Sequence, residues 1–208
     1  MNWNRHSELE GKHAIFSPSQ SAWLRYDEGK IYNKIVSTYS PAIGTLLHKF
    51  AEEHILYGVK LTKASRQETL LYLLKNDIPY AAIDMDYLYP NLMNYVNDAI
   101  GYKMTPEVVL WYSDNCFGTT DSICFRNRFL RVHDLKTGKS GDMEQVLSYA
   151  ALFCLEYKVK PTEIESELRI YQGGEILYHR PQPEEIIYTM ETIKACDKIV
   201  CRIMEREG

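Results

Sequence analysis

The sequence predicts an α/β (α+β) fold: a central mixed β-sheet flanked by helices, with a helical N-terminal lobe. Three observations predict it. Apolar residues recur at helical spacing through most of the chain before Pro106. Short β-branched and aromatic runs replace them after Pro106. The order that follows is three strands, a helix, two strands and a closing helix.

Each element has a local reason. Residues 17–28 open as a helix would, with Ser17 placed to cap and Pro18 at the first helical position. Residues 41–57 carry an apolar stripe of Leu46, Leu47, Phe50 and Ile55, with His48 and Glu52 four apart on another face. Residues 65–77 read as a helix capped by Ser65, with Glu68 in the capping-box position. Residues 84–101 read as helical, with an irregularity expected at Pro90. Residues 107–113, 117–125 and 129–136 form a three-stranded meander whose second turn is Arg126-Asn127-Arg128. A loop, 137–141, leads into a helix over 142–157. A strand over 163–171, a Gly173-Gly174 turn and a strand over 175–179 make a hairpin, and 183–207 is an amphipathic helix. We divide the chain as one domain, 1–208: a mainly helical lobe (1–105), the sheet with its helix (106–182) and the C-terminal helix (183–208).

Composition narrows the function classes. Hydrophobic residues make up 45% and charged residues 25%, as in a soluble globular protein rather than a disordered or collagen-like one. The 24 basic and 28 acidic side chains leave a net charge of −4. No protein-wide basic field exists, so a polyanion must be met by a local patch or through bound cations. No run approaches a membrane span, and Met1 to His13 is polar, so neither an anchor nor a secretory signal is expected. The five cysteines (116, 124, 154, 196, 201) form no regular framework and read as reduced thiols of a cytoplasmic protein. Tyrosines number sixteen; each can stack on a base, but each is also a common half-buried residue.

The chemistry concentrates between Glu107 and Lys136. Asp134 and Lys136 are two apart on one strand, so they share a face, with Leu135 pointing the other way. Asp121 lies on the preceding strand, where pairing through the short turn brings it near Asp134. Two adjacent carboxylates repel, and a hard divalent cation is the natural compensation. Lys136 adds a positive group able to hold a water or a phosphate oxygen. A bare D-x-K triplet arises by chance; the spacing E-x13-D-x12-D-x-K on strands, followed by a helix, is the stronger signal.

The segment GTTDSICFRNRFLRVHDLKTGKSGDMEQVLSYA resembles the active-site region of the PD-(D/E)XK nuclease superfamily, in particular its RecB-like and phage lambda-type exonucleases. Those carry "G-x-x-D … D-x-K-T-G" and then "Q-x-x-x-Y" on a helix. Here these are Gly118, Asp121, Asp134, Lys136, Thr137, Gly138, Gln145 and Tyr149. An upstream "G-x-x-x-H" matches Gly44 and His48. The resemblance covers roughly residues 17–157 and implies a restriction-endonuclease-like core.

By that resemblance, Asp121 and Asp134 would bind the catalytic metal, with the Leu135 main-chain carbonyl and His48 as further ligands. Glu107 matches the acid of the first core strand. Lys136 would orient or activate the attacking water. Gln145 and Tyr149 would touch DNA or support Lys136, and Thr137 and Lys139 would contact a phosphate. The implied cofactor is Mg²⁺ or Mn²⁺, one or two ions. Some RecB-like nucleases hold an iron–sulfur cluster, but no cysteine precedes Cys116, so none is expected. The implied function is a metal-dependent DNA exonuclease in phage or prokaryotic recombination, repair or degradation, working as a homo-oligomeric ring or with a recombination partner. A structure-specific or restriction-like endonuclease on the same core is the alternative, and a catalytically silent DNA-binding module is the alternative from another class.

Overall fold

The computed structural model describes residues 3–138 and 141–207. Four helices form a lobe: α1 (Glu28–Ser37), α2 (Ser40–Tyr57), α3 (Ser65–Lys75) and α4 (Met85–Gly101). A five-stranded sheet follows in the order β1 (Thr105–Ser113), β2 (Cys116–Arg126), β3 (Phe129–Leu135), β4 (Glu165–Gln172) and β5 (Glu175–His179). Helix α5 (Met143–Glu156) connects β3 to β4, and α6 (Pro183–Glu207) closes the chain. All sheet neighbours pair antiparallel except β3 and β4, which are parallel. A parallel pair needs a long crossover, and α5 supplies it. The fold is thus α+β, with a mixed sheet flanked by helices.

Period-2 alternation sends the strands' side chains to two separate cores. On one face Leu130, Val132, Leu168 and Ile170 pack with Val146, Ala150 and Cys154 of α5 and Ile186 of α6. On the other, Leu135 and Tyr171 join the lobe core of Leu47, Phe50, Leu73, Leu92, Tyr95 and Val96. Each fully buried aliphatic side chain contributes roughly 1.5–3 kcal/mol. The sheet is therefore held from both sides along β3 and β4. No helix among the described residues is long and apolar enough to cross a membrane.

Two short turns set the hairpins. Asn127 and Arg128 have φ of 52° and 60°, and Gly173 and Gly174 have 61° and 81°. Paired left-handed residues are the geometry of two-residue hairpin loops. The helical lobe departs from expectation in three places. Residues Pro18–Arg25 form a 3₁₀ segment broken at Gln20, not an α-helix; they bury no side chain, so nothing tertiary offsets the entropy of helix formation. Helix α1 follows, unexpected because Gly29 and the β-branched Ile31, Ile35 and Val36 weaken its propensity. It is held by an Asp27 cap, which accepts from the Lys30 N–H at 2.8 Å, and by Tyr32 donating to the Ala81 carbonyl. Ser65 does not cap α3: the helix begins at Ser65 itself, and its hydroxyl accepts from the Thr62 N–H. Pro90 leaves α4 unbroken.

Candidate metal centre

The β2–β3 hairpin positions the first two acids. The tight turn pairs Arg126 with Phe129, and the register runs back to Ser122 opposite His133. One step further sets Asp121 opposite Asp134. The Leu135 N–H donates to Asp121 Oδ2 at 2.6 Å, so the Asp121 side chain caps the strand that carries Asp134. The Leu135 side chain is buried in the lobe core while its backbone lies at the site.

Strand β1 adds Glu107 by an irregularity. Pro106 pairs with Ser122 and Val108 with Thr120, which brackets Glu107 opposite Asp121. Glu107 has φ of 50°, a left-handed conformation that costs a non-glycine residue roughly 1–2 kcal/mol. The alternation reverses around it. Cys116 of β2 packs toward α5, yet Ser122 and Cys124, also even-numbered, lie on the lobe side. The local twist turns Glu107 and Asp121 out of the ordinary pleat and toward α2. Such strained residues cluster at functional sites.

Helix α2 brings His48. A Cβ at Gly44 would stand 3.1 Å from Thr137 Oγ1, so the glycine lets the helix approach the loop after β3. One turn on, His48 Nδ1 lies 3.4 Å from Asp121 Oδ1. One ligand atom each from His48, Glu107 and Asp121 all lie within 4.8 Å of one another. An open cleft of about 600 Å³, lined by Gly44, Thr45, His48, Lys49, Glu52 and Glu107, leads to them.

Asp134 is 2% exposed. Lys136 Nζ donates to its Oδ1 at 3.1 Å and lies 3.0 Å from Oδ2, which is buried and makes no hydrogen bond. Lys136 also donates to Gln145 Oε1 at 2.9 Å, which ties the end of β3 to α5. Tyr149, one turn along α5, fills the space above Gly118, where a Cβ would meet its ring at 3.1 Å.

The electrostatics follow from crowding. Burial, then the charge of Asp121, push Asp134 up to about 6 against the opposing pull of Lys136. Burial, then Asp121, also raise Glu107. Burial alone would lower His48, but its hydrogen bond to Asp121 and the surrounding carboxylates outweigh that, and its pKa is raised. Beside the effect of burial, each of the three groups feels the same crowd of negative charge. A hard cation fits this donor set. Ligands on an octahedral Mg²⁺ stand about 3 Å apart when adjacent and about 4.2 Å when opposite, so side-chain shifts are needed to close a cluster that now lies within 4.8 Å. Asp134 Oδ2 makes no hydrogen bond and faces the Lys136 ammonium at 3.0 Å.

The structure thus brings His48, Glu107 and Asp121 within ligand distance of one another, ties Asp121 to the Leu135 backbone, and sets Asp134 with Lys136, which reaches Gln145. Thr137 sits against Gly44, and Tyr149 packs on Gly118 rather than reaching the carboxylates. Lys139 lies outside the described residues. Sequence reasoning missed Tyr95, fully buried behind the site, whose hydroxyl is held neutral by burial and by Asp121. Its position on the core stripe of α4 gave no separate signal. No family model, no curated protein and no solved structure matches this chain.

Proposed function

We propose that this chain is a metal-dependent deoxyribonuclease of the PD-(D/E)XK type, built on a restriction-endonuclease-like core and acting as an exonuclease. The observation that carries the reading is the convergence of Asp121, Asp134 and Lys136 from adjacent strands. Asp121, Asp134 and the Leu135 carbonyl would hold Mg²⁺ or Mn²⁺, with His48 and Glu107 completing the set. A cation bound there supplies a lowered water pKa and stabilises charge on the attacked phosphate.

The chain's own groups do the remaining work. An ammonium has three N–H donors, and Lys136 directs two of them to Asp134 and Gln145. The third is left to orient the attacking water or to meet a phosphoryl oxygen as charge develops. Gln145 and Asp134 fix that ammonium in place, so its direction is set before substrate arrives. The twist at Glu107 keeps the acids at the floor of an open cleft, where a polymer backbone can enter. Prokaryotic or phage DNA processing in the cytoplasm, with a ring-shaped homo-oligomer, is the setting the sequence resemblance favours.

The test is digestion of linear and covalently closed circular DNA with Mg²⁺, Mn²⁺ or EDTA, beside Asp134→Ala. Loss of the linear form alone, dependent on metal and on Asp134, is the expected result. Cleavage of the circle would replace the exonuclease reading with an endonuclease. Cleavage of neither, by folded protein, would favour a DNA-binding module without chemistry.

A further inference from the structure

We propose that the face of the sheet beyond the end of α4 is a binding surface for single-stranded nucleic acid, separate from the carboxylate site. At that end three arginines converge on one buried carboxylate. Glu167 is 3% exposed, and Arg169 and Arg131 lie 2.9 and 3.4 Å from its Oε1, with Arg180 3.6 Å from its Oε2. Arg169 also donates to Asp98 at 2.9 Å. Two carboxylates therefore face three guanidinium groups. Neither the Arg131 Nε nor the Arg169 Nε makes a hydrogen bond. The surplus grows outward: Arg126 and Arg128 on the adjoining turn, and Lys103, whose carbonyl accepts from Arg126, outnumber the nearby Glu163 and Glu165. A net positive patch stands on a chain of net charge −4.

The arginines are interleaved with rings. The Arg131 guanidinium lies 4.4 Å from the Tyr102 ring centre and 4.2 Å from that of Phe129. Arg180 lies 5.7 Å from Tyr178 and 5.8 Å from Phe129. Tyr178 is 50% exposed and the Arg180 side chain 59%. Stacking holds the planar groups rigid with little entropy left to lose on binding. Flat faces for bases and fixed cations for phosphates are what sequence-tolerant single-strand binding uses. A duplex keeps its base faces stacked inside, so an exposed ring such as Tyr178 has a stacking partner only on an unpaired strand.

Arg131 precedes Asp134 by three residues on β3, about 10 Å along the strand and on its opposite side. The patch is thus distinct from the site proposed for cleavage. It is also the local patch that an acidic chain needs if it is to meet a polyanion without cations.

The experiment is fluorescence anisotropy of the full chain with a labelled oligothymidylate of about 20 nucleotides, in EDTA. Binding without metal is expected, weakened roughly tenfold by Tyr178→Ala and by Arg180→Ala. The slope of log affinity against log salt should fall by about 0.7 for Arg180→Ala and stay unchanged for Arg180→Lys, which keeps the charge. Both positions are on the surface, and circular dichroism checks that the variants fold. Three results would overturn the proposal: no binding in EDTA, wild-type affinity in both alanine variants, or displacement by polyglutamate or duplex as readily as by unlabelled oligothymidylate. The readout requires no cleavage, so it stands or fails independently of the nuclease assignment.

Discussion

Replacing Asp134 with asparagine should stabilise the metal-free protein. Asp134 is 2% exposed and its pKa rises from 3.8 to about 6, through burial first and then the charge of Asp121. That net rise already includes the favourable pull of Lys136. A carboxyl whose pKa is higher folded than unfolded binds more protons in the folded state between those two values. Stability of the metal-free protein is then lost as pH rises through about 4 to 6, and the loss is complete above that window. About two pKa units correspond to about 3 kcal/mol at most. Asparagine keeps an acceptor for Lys136 and removes the charge. In EDTA near pH 8, Asp134→Asn should gain about 1–3 kcal/mol in denaturant unfolding, with a melting temperature higher by roughly 2–10 °C. The gain should vanish near pH 4. Mn²⁺ should stabilise the wild type and leave the variant nearly unchanged. A variant less stable than wild type in EDTA at pH 8 would refute the reasoning, because Asp134 would then be a satisfied partner of Lys136 and not a ligand held under repulsion.

Three further outcomes follow from the same geometry. Lys136→Ala should lower the cleavage rate by at least about 100-fold while DNA affinity changes by only a few-fold; near-wild-type cleavage would remove Lys136 from the chemistry. His48→Ala should raise the Mn²⁺ concentration for half-maximal rate by about tenfold, whereas an unchanged requirement would make His48 structural. Mn²⁺ affinity, measured by titration calorimetry, should fall as pH drops, first as His48, its pKa raised above the ordinary value, becomes charged and then through about 6, where Asp134 takes up its proton. Constant affinity down to about pH 5 would place the ion elsewhere.

The legible parts of the fold were those fixed by local chemistry. Asn127-Arg128 and Gly173-Gly174 announce tight turns, and a tight turn plus period-2 alternation puts Asp121 opposite Asp134 without any tertiary knowledge. Gly44 and His48 were visible as a spaced pair, but the reason for the glycine, contact with Thr137, needs the packed structure. The twist at Glu107 was not legible, because nothing in Thr105-Pro106-Glu107 marks a left-handed glutamate; the strand pairing imposes it. Helix α1 was missed because its own propensity is weak and the Asp27 cap and Tyr32 contact hold it. The arginine cluster around Glu167 was hidden for a topological reason. Arg131 and Glu167 are neighbours only through the parallel pairing of β3 with β4, which a whole helix separates in sequence.

The most direct measurement is single-turnover hydrolysis of end-labelled linear DNA by pure protein saturated with Mn²⁺, comparing wild type with Asp121→Asn. Asp121 accepts from the Leu135 N–H and meets His48, so it stands at the centre of the proposed ligand set. The account predicts metal-dependent cleavage by the wild type and a loss of at least about 1,000-fold in a variant that still folds and binds DNA. Equal rates for the two proteins, or wild-type cleavage that persists in EDTA, would contradict it.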